Sequence, residues 1–221
     1  MSYYLLDMAN SYSLVSQKYG LAIHTTTPQL AICLDDFAGD SRKQIWELGR
    51  DLSSSLHYYL QEILAPQTWQ DIGFVAVAKG PGGFTGTRIG VVAARTLGQQ
   101  LDIPVYGVST LAAIAHQQLD APELNSLVAV VMPTRREQLF TAIYRVEADG
   151  IWTEYQSDKT TTQAEWDKVL ANLEQPWQLV EAPTAIASSV TSVMALAYAQ
   201  WQQQRPGVWQ NLVPFYGQHP V

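Results

Sequence analysis

The sequence predicts an α/β protein of two lobes, each a mixed sheet covered by helices. Three observations point there. Strand and helix patterns alternate through the first half of the chain, the order that builds a sheet with helices on its faces. After Asp120-Ala121-Pro122 the pattern changes to a run of strands, then a helix, a strand and a long helix. Of the 221 residues, 47% are hydrophobic and 15% charged, which supplies a sizeable core and argues against disorder. Residues 1–19 have no clear period and read as an N-terminal extension. Residues 20–108 form the first lobe and residues 109–221 the second, smaller one, with the junction near 106–125.

The elements follow in order. The runs 21–25 and 29–34 of "LAIHTTTPQLAICL" are rich in β formers and flank a Thr-Pro turn, a hairpin pattern. "KQIWELG" suits a helix by the spacing of Ile45 and Leu48, and a short third strand equally. Leu52, Leu56, Tyr59, Leu60, Ile63 and Leu64 recur at helical spacing until Pro66 stops the run. "IGFVAVAKG" is a strand running into a glycine turn. A loop over 80–87 leads to a helix over 88–101. "IPVYGVS" is the next strand, and Ser109 is placed to cap the helix "TLAAIAHQQL" by accepting a backbone N–H. "SLVAVVM", "EQLFTAIYRV" and "IWTEYQ" give three strands. A helix over 163–173, a strand over 177–181 and a helix over 184–203 complete the chain before Arg205-Pro206-Gly207.

Charge and composition exclude several function classes. The net charge of -7 makes the chain a poor grip for a phosphate backbone, so any nucleic acid would need a partner's positive surface. The single cysteine, Cys33, excludes an intrachain disulfide and reads as a small buried apolar group in "QLAICL". No stretch reaches the roughly 18 uninterrupted apolar residues that span a bilayer. The start has neither the basic region nor the apolar block of a secretory signal, so the cytoplasm is the expected location.

The stretch "KGPGGFTGTRIG" (79–90) invites a phosphate-binding reading. A P-loop needs a lysine and a hydroxyl after its second glycine, and here Thr87 and Arg88 follow Gly86. The dinucleotide pattern G-x-G-x-x-G fails as well, because Gly86 comes one residue too late after Gly80 and Gly82. Two readings stand open. Gly82 and Gly83 let the chain turn sharply from strand to helix, with Phe84 plugging the turn and Thr85 or Thr87 capping the helix. Alternatively, helix N-terminal amides and Arg88 hold an anion. Arg88 could instead pair within the first lobe.

The helix that follows carries two stripes. Ile89, Val92, Ala93, Thr96 and Leu97 read as the core-facing one. Gly90, Ala94 and Gly98 recur every four residues along another strip, where small residues admit a second backbone, within the lobe or from a partner. Each glycine costs about 1 kcal/mol of helix propensity relative to alanine, which such an approach would offset.

Residues 78–115 resemble the TsaB (YeaZ) family, the dimerisation subunits of the bacterial tRNA threonylcarbamoyladenosine machinery. Gly80 to Gly90 match the family's G-P-G-S-F-T-G-x-R-I-G loop, with Gly83 in the serine position. Ile103 to Leu111 match its I-P-[VI]-x-G-V-S-[ST]-L segment. Upstream, "LAIHTTTPQLAICL" is similar to the family's L-A-I-D-T-S-T hairpin, and "GRDLSSSLHYYLQEIL" to its first helix, where Leu52 stands in place of a histidine. The comparison favours a strand for 43–48. Downstream, "MPTRREQLFTAIYR" and "LVPFYGQ" are similar to a D-A-[RK]-x-x-E-V-Y segment and a terminal P-x-Y-L-R. Residues 147–210 show no specific match.

The resemblance implies the actin-like ATPase (ASKHA) fold of sugar kinases and Hsp70-type ATPases, two ribonuclease-H-like lobes. It also implies a non-catalytic scaffold. Such a subunit pairs with TsaD, which joins threonylcarbamoyl to the adenosine next to the anticodon of tRNAs reading codons that begin with A. The ATPase TsaE joins them, and tRNA is met only through the complex. No cofactor is implied, and a homodimer is expected when the chain is alone. On this reading Gly80, Pro81, Gly82, Gly83, Phe84, Thr85, Gly86 and Arg88 form an inherited elbow. Leu56, Tyr59, Leu60, Gly90, Val91, Ala94 and Gly98 then belong to a partner interface on the two helices.

The residues themselves also weigh against an enzyme. ATPases of this fold need carboxylates near the phosphates to hold magnesium and position water. The corresponding positions carry His24 and Pro133; proline cannot ligate a metal, and magnesium prefers oxygen. A nucleotide-binding small-molecule kinase is nevertheless the competing reading, and a peptidase the third. For the latter, H-E-x-x-H is missing and His24, His57, His116 and His219 are scattered; His57 reads as helix packing or surface and His116 as a helix-surface residue. Ser109 lacks the G-x-S-x-G elbow. Arg135 and Arg136 read as solvated charges at a strand start.

Overall fold

The aliphatic runs of the first lobe become a five-stranded sheet, because residues that alternate between two apolar faces can only be buried with helices on both sides. The computed structural model describes residues 18–119, 123–134, 137–147 and 151–217. The strands are β1 (Tyr19–His24), β2 (Gln29–Asp35), β3 (Ser41–Glu47), β4 (Ile72–Ala78) and β5 (Val105–Val108), in the order β3-β2-β1-β4-β5. β1 and β2 pair antiparallel as the expected hairpin, with Leu21 opposite Leu34 and Ile23 opposite Ile32. β3 pairs antiparallel with β2, so "KQIWE" is strand. β4 and β5 run parallel to β1.

The second sheet repeats this plan. β6 (Leu127–Pro133), β7 (Leu139–Val146) and β8 (Trp152–Thr161) form an antiparallel meander, and β9 (Trp177–Glu181) lies parallel beside β6. The order is β8-β7-β6-β9, which among the described residues lacks a counterpart of β5.

Five helices cover the sheets: α1 (Leu52–Leu64), α2 (Phe84–Leu101), α3 (Thr110–Gln118), α4 (Gln163–Ala171) and α5 (Val190–Gln202). Strand side chains alternate between faces. Leu21, Ile23, Ile32, Val75 and Val77 therefore meet Leu56 and Leu60 of α1 and Val91 and Ala94 of α2 on the outer face of the first sheet. Ala22, Ala31, Ala76 and Ala78 point the other way into a core shared with Val128, Val130, Ala142 and Tyr144 of the second sheet. The two helices in that shared layer are exchanged. α3, which follows β5, packs on β6 and β7, whereas α5, which follows β9, returns to pack on β1, β4 and β5. α4 closes the far face over the buried Trp166. The layers thus run α1/α2, first sheet, α5/α3, second sheet, α4, the mixed sheets covered by helices that the sequence predicts.

Several boundaries differ from expectation, among them the end of β8, at Thr161 rather than 156, and that of α4, at Ala171 rather than 173. α2 starts at Phe84 rather than 88, because the glycine turn is tighter than the glycine-rich stretch suggests. The last helix starts at Val190 rather than 184, after a single 3-10 turn at Ala187–Ser189. Tyr19 already belongs to β1. Residues 1–17 of the proposed extension lie outside the described residues, as do Arg135, Arg136 and His219.

Candidate functional site

The glycine turn is held mainly by the chain's own backbone, with the Thr25 hydroxyl donating to the Gly86 carbonyl (2.8 Å). Lys79 N–H donates to the Val108 carbonyl (2.9 Å), closing β4 against β5, and the Lys79 carbonyl accepts from Phe215 N–H (2.7 Å). Thr110 N–H donates to the Gly80 carbonyl (2.8 Å), and Gly83 N–H to the Thr26 carbonyl (2.7 Å). Gly80 adopts φ +106, a region open to glycine at little cost, and a Cβ there would overlap the Phe215 carbonyl oxygen. A Cβ on Gly82 would lie 2.5 Å from the Thr26 carbonyl oxygen, and one on Gly86 would overlap that of Thr25. The room that these glycines leave is filled by residues 25–26 and by the C-terminal segment. This is the geometry of an elbow.

Several expected details of the turn are corrected. Gly83 is the N-cap of α2 and offers no side-chain cap. Thr85 and Thr87 lie inside the helix, where the Thr87 hydroxyl donates back to the Gly83 carbonyl (2.8 Å). Phe84 does not plug the turn. It is 36% exposed and packs on Tyr216 with ring centroids 4.3 Å apart, because the turn is already full of backbone. Arg88 stacks over the Phe84 ring, 5.2 Å from its centroid, so its partner within the lobe is aromatic rather than acidic.

The two stripes of α2 are exchanged relative to the sequence reading. Thr87, Gly90, Val91, Ala94 and Gly98 face the sheet. A Cβ on Gly90 would overlap the Thr25 hydroxyl oxygen, and one on Gly98 the Val105 side chain. Helix and sheet approach so closely that only small residues fit. The bulkier stripe turns outward: Val92 is 57% exposed, and Ile89, Ala93 and Leu97 are half-buried. Of the seven residues expected at a partner interface, Leu56, Leu60, Gly90, Val91, Ala94 and Gly98 are buried inside this chain, and only Tyr59 is half-buried. Beside it, Tyr58 is 59% exposed. The outward apolar face of the helix pair consists of Tyr58, Tyr59, Ile89, Val92, Ala93 and Leu97.

A cleft of about 1120 Å³ opens between the sheets in front of the elbow. Its walls come from the β1–β2 turn, the start of α1, the elbow, the end of β6, Phe140 and the stretch before α5. Hydroxyls of Thr26, Thr27, Ser53, Thr134 and Thr184 and the apolar Met132, Pro133, Phe140 and Ile186 line it, and Arg50 is its one charged side chain among the described residues. Pro133 therefore sits at the cleft. His24 does not line it. It is fully buried at the end of β1, and neither ring nitrogen finds a partner among the described residues. Burial lowers its pKa to about 4, so the ring is neutral at physiological pH. No group of three or more His, Cys, Asp or Glu able to hold a metal exists among the described residues.

His116, expected at a helix surface, is half-buried; its Nδ1 lies 3.1 Å from the Ser192 hydroxyl, and burial lowers its pKa. His57 is exposed. Cys33 is buried and free, and burial pushes its thiol up to about 12.

A polar knot was not legible in the sequence. Ser109 caps α3 as expected, accepting from Leu111 and Ala112 N–H, and it also donates to Asp158 Oδ1 (2.8 Å). Tyr144 OH donates to Ser109 Oγ (2.8 Å) and Asp158 Oδ1 (2.7 Å). Burial raises the Asp158 pKa, against the hydrogen bonds and the nearby Lys79. The knot ties the end of the first sheet to β7 and β8. Its members lie far apart in the chain, so no local spacing announces it.

The family model of tRNA N6-adenosine threonylcarbamoyltransferase, TsaD, matches residues 49–202, more than half of the chain. The chain is 35% identical over 107 residues to the tRNA threonylcarbamoyladenosine biosynthesis protein TsaB of Bacillus subtilis, covering 48% of this chain and 45% of that protein. It is 29% identical over 135 residues to the Escherichia coli protein of the same name, covering 60% and 57%. The aligned region thus spans about half the length of these curated relatives. In structure it is similar to YeaZ from Pseudomonas aeruginosa, with a TM-score of 0.67 at 20% identity over 90% of this chain and 99% of that one. Together with the family-model match, that likeness places the two-sheet architecture in the actin-like fold.

Proposed function

The chain belongs to the tRNA N6-adenosine threonylcarbamoyltransferase family, and on that premise we propose that it is a non-catalytic, TsaB-type subunit of a threonylcarbamoyladenosine-forming complex. It pairs with a TsaD-type catalytic subunit, is joined by a TsaE-type ATPase, meets tRNA only through the assembly, and works in the cytoplasm. The observation that carries this reading is the lining of the cleft. Where a phosphoryl-transfer enzyme of this fold would place carboxylates for magnesium, the described residues of this cleft are threonines, a serine, apolar side chains, Pro133 and a single cation, Arg50. His24, the side chain nearest to a catalytic position in sequence, is sealed in the core and neutral. The elbow fits the same reading, because the close approach that its glycines permit is taken up by residues 25–26 and Phe215 of this chain.

The partner surface is the outward face of α1 and α2. Tyr58 and Val92 are the most exposed apolar residues of that pair. Aromatic and aliphatic anchors of this kind are what an interface buries. The same face pairs two copies of the chain when no partner is present. Co-expression with the TsaD-type protein of the same organism, followed by size exclusion with light scattering, tests the proposal. A stable heterodimer is the expected result. Two separate species, together with micromolar ATP–magnesium binding by calorimetry, would replace it with the kinase reading.

A further inference from the structure

The two sheets follow one strand order, and the second leaves a place unfilled. In the first sheet β4 lies between β1 and β5 and is buried along nearly its whole length. In the second, β9 takes the same position beside β6. No strand lies on its far side among the described residues, and Val180 is its one buried residue. The Pro176 carbonyl accepts from Leu127 N–H (3.0 Å), and Ala182 N–H donates to the Val131 carbonyl (2.9 Å). Backbone groups alternate in direction along a strand, so even-numbered positions face β6. The N–H and C=O groups of Trp177, Leu179 and Glu181 therefore point away from the sheet. Gln118 Nε2 donates to the Glu181 carbonyl (3.1 Å), and among the described residues the remaining groups form an open ladder.

The side chains on this edge suit an added strand. Trp177 is in register with Leu127 and Leu179 with Ala129, on the face that α4 covers. They remain 38% and 44% exposed. Edge strands are usually blunted by lysine or proline, and "WQLVE" has neither. The exposed charges at its two ends, Glu174 and Glu181, are both acidic, and so is Glu123 in the turn before β6. A second copy would set Glu174 and Glu181 against their own counterparts, which disfavours self-pairing.

We propose that β9 is a docking edge for an extended basic segment of another protein. The segment adds as a fifth strand, as β5 does beside β4. Its apolar side chains lie over Trp177 and Leu179, and its lysines or arginines meet Glu174 and Glu181. This inference is independent of the tRNA-modification reading.

Hydrogen exchange on the full chain tests it, with the probe peptide acetyl-KTVTVTK-amide, whose valines and lysines share one strand face as Trp177, Leu179 and Glu181 do, and its glutamate analogue acetyl-ETVTVTE-amide. The amides of Trp177, Leu179 and Glu181 exchange fast in the free chain. The lysine peptide slows them at least about tenfold, and the glutamate peptide leaves them unchanged. Leu179→Pro removes an outward N–H without breaking a bond to β6 and abolishes protection. The pair Glu174→Lys and Glu181→Lys weakens it about tenfold or more. If Leu179→Pro does not fold, the charge pair decides alone. Equal protection by both peptides overturns the proposal. So does protection in the free chain: if independent of concentration, the chain fills its own edge, and if it rises with concentration, a second copy does.

Discussion

His24 gives a prediction whose size follows from its surroundings. The ring is fully buried, neither nitrogen has a partner among the described residues, and its pKa falls from 6.5 to about 4. Between these values the unfolded chain takes up a proton that the folded chain refuses. The contribution of this group is therefore complete above the unfolded pKa and is lost as pH falls towards the folded one. For a shift of this size, linkage gives a loss of about 2 kcal/mol between pH 8 and pH 5, and about 3 kcal/mol by pH 4. The perturbation is His24→Leu, which fills most of the same space and removes two unsatisfied nitrogens. At pH 8 the variant is expected to match or exceed the parent, since deleting orphaned buried polar atoms relieves their desolvation. The assay is urea unfolding of both proteins at pH 8, 7, 6 and 5, followed by tryptophan fluorescence. Carboxylates and His116 titrate alike in the two proteins, so the difference between them isolates His24. An advantage for the variant that grows by about 2 kcal/mol from pH 8 to pH 5 is expected. A difference that stays flat would mean that His24 is protonated or hydrogen-bonded in the folded protein, and the account of its sealed neutral ring would be wrong.

Four further outcomes are expected. Gly83→Ser supplies an N-cap hydroxyl to α2, and its Cβ would lie 3.4 Å from the Thr26 carbonyl oxygen, an ordinary contact; a gain of a few tenths of a kcal/mol in chemical denaturation is expected. Gly86→Ala forces a methyl into the Thr25 carbonyl and is expected to lose about 1–3 kcal/mol or more in the same measurement. Asp158→Asn keeps an acceptor for Ser109 and Tyr144 and removes a charge whose pKa burial raises. The parent gains stability as pH falls through that raised pKa, and the variant should lose this gain while differing by no more than about 1 kcal/mol at pH 7. Tyr58→Glu with Val92→Glu, both exposed, should leave stability within about 0.5 kcal/mol per site, and light scattering should show loss of homodimer and of the TsaD-type heterodimer.

The sequence by itself determined the strand and helix order apart from β3, which its periodicity left open, the hairpin at 21–34, the Ser109 cap and the absence of acidic residues at positions 24 and 133. Each is a local matter: alternation, capping chemistry or residue identity read at one place. It also singled out the turn, since glycines at 80, 82 and 86 suit either a close backbone approach or a bound anion. Tertiary structure alone decided what approaches. Both stripes of α2 recur at helical spacing, and hydropathy favours the bulkier one for the core. Yet the helix lies so close to the sheet that Gly90, Ala94 and Gly98 must face inward, and Val92 is left outside. Distance between backbones, which no periodicity encodes, reverses the assignment. The Ser109–Tyr144–Asp158 knot and the return of α5 to the first sheet depend in the same way on contacts between residues far apart in the chain. So does the open edge at β9, which becomes visible only when the two sheets are set side by side.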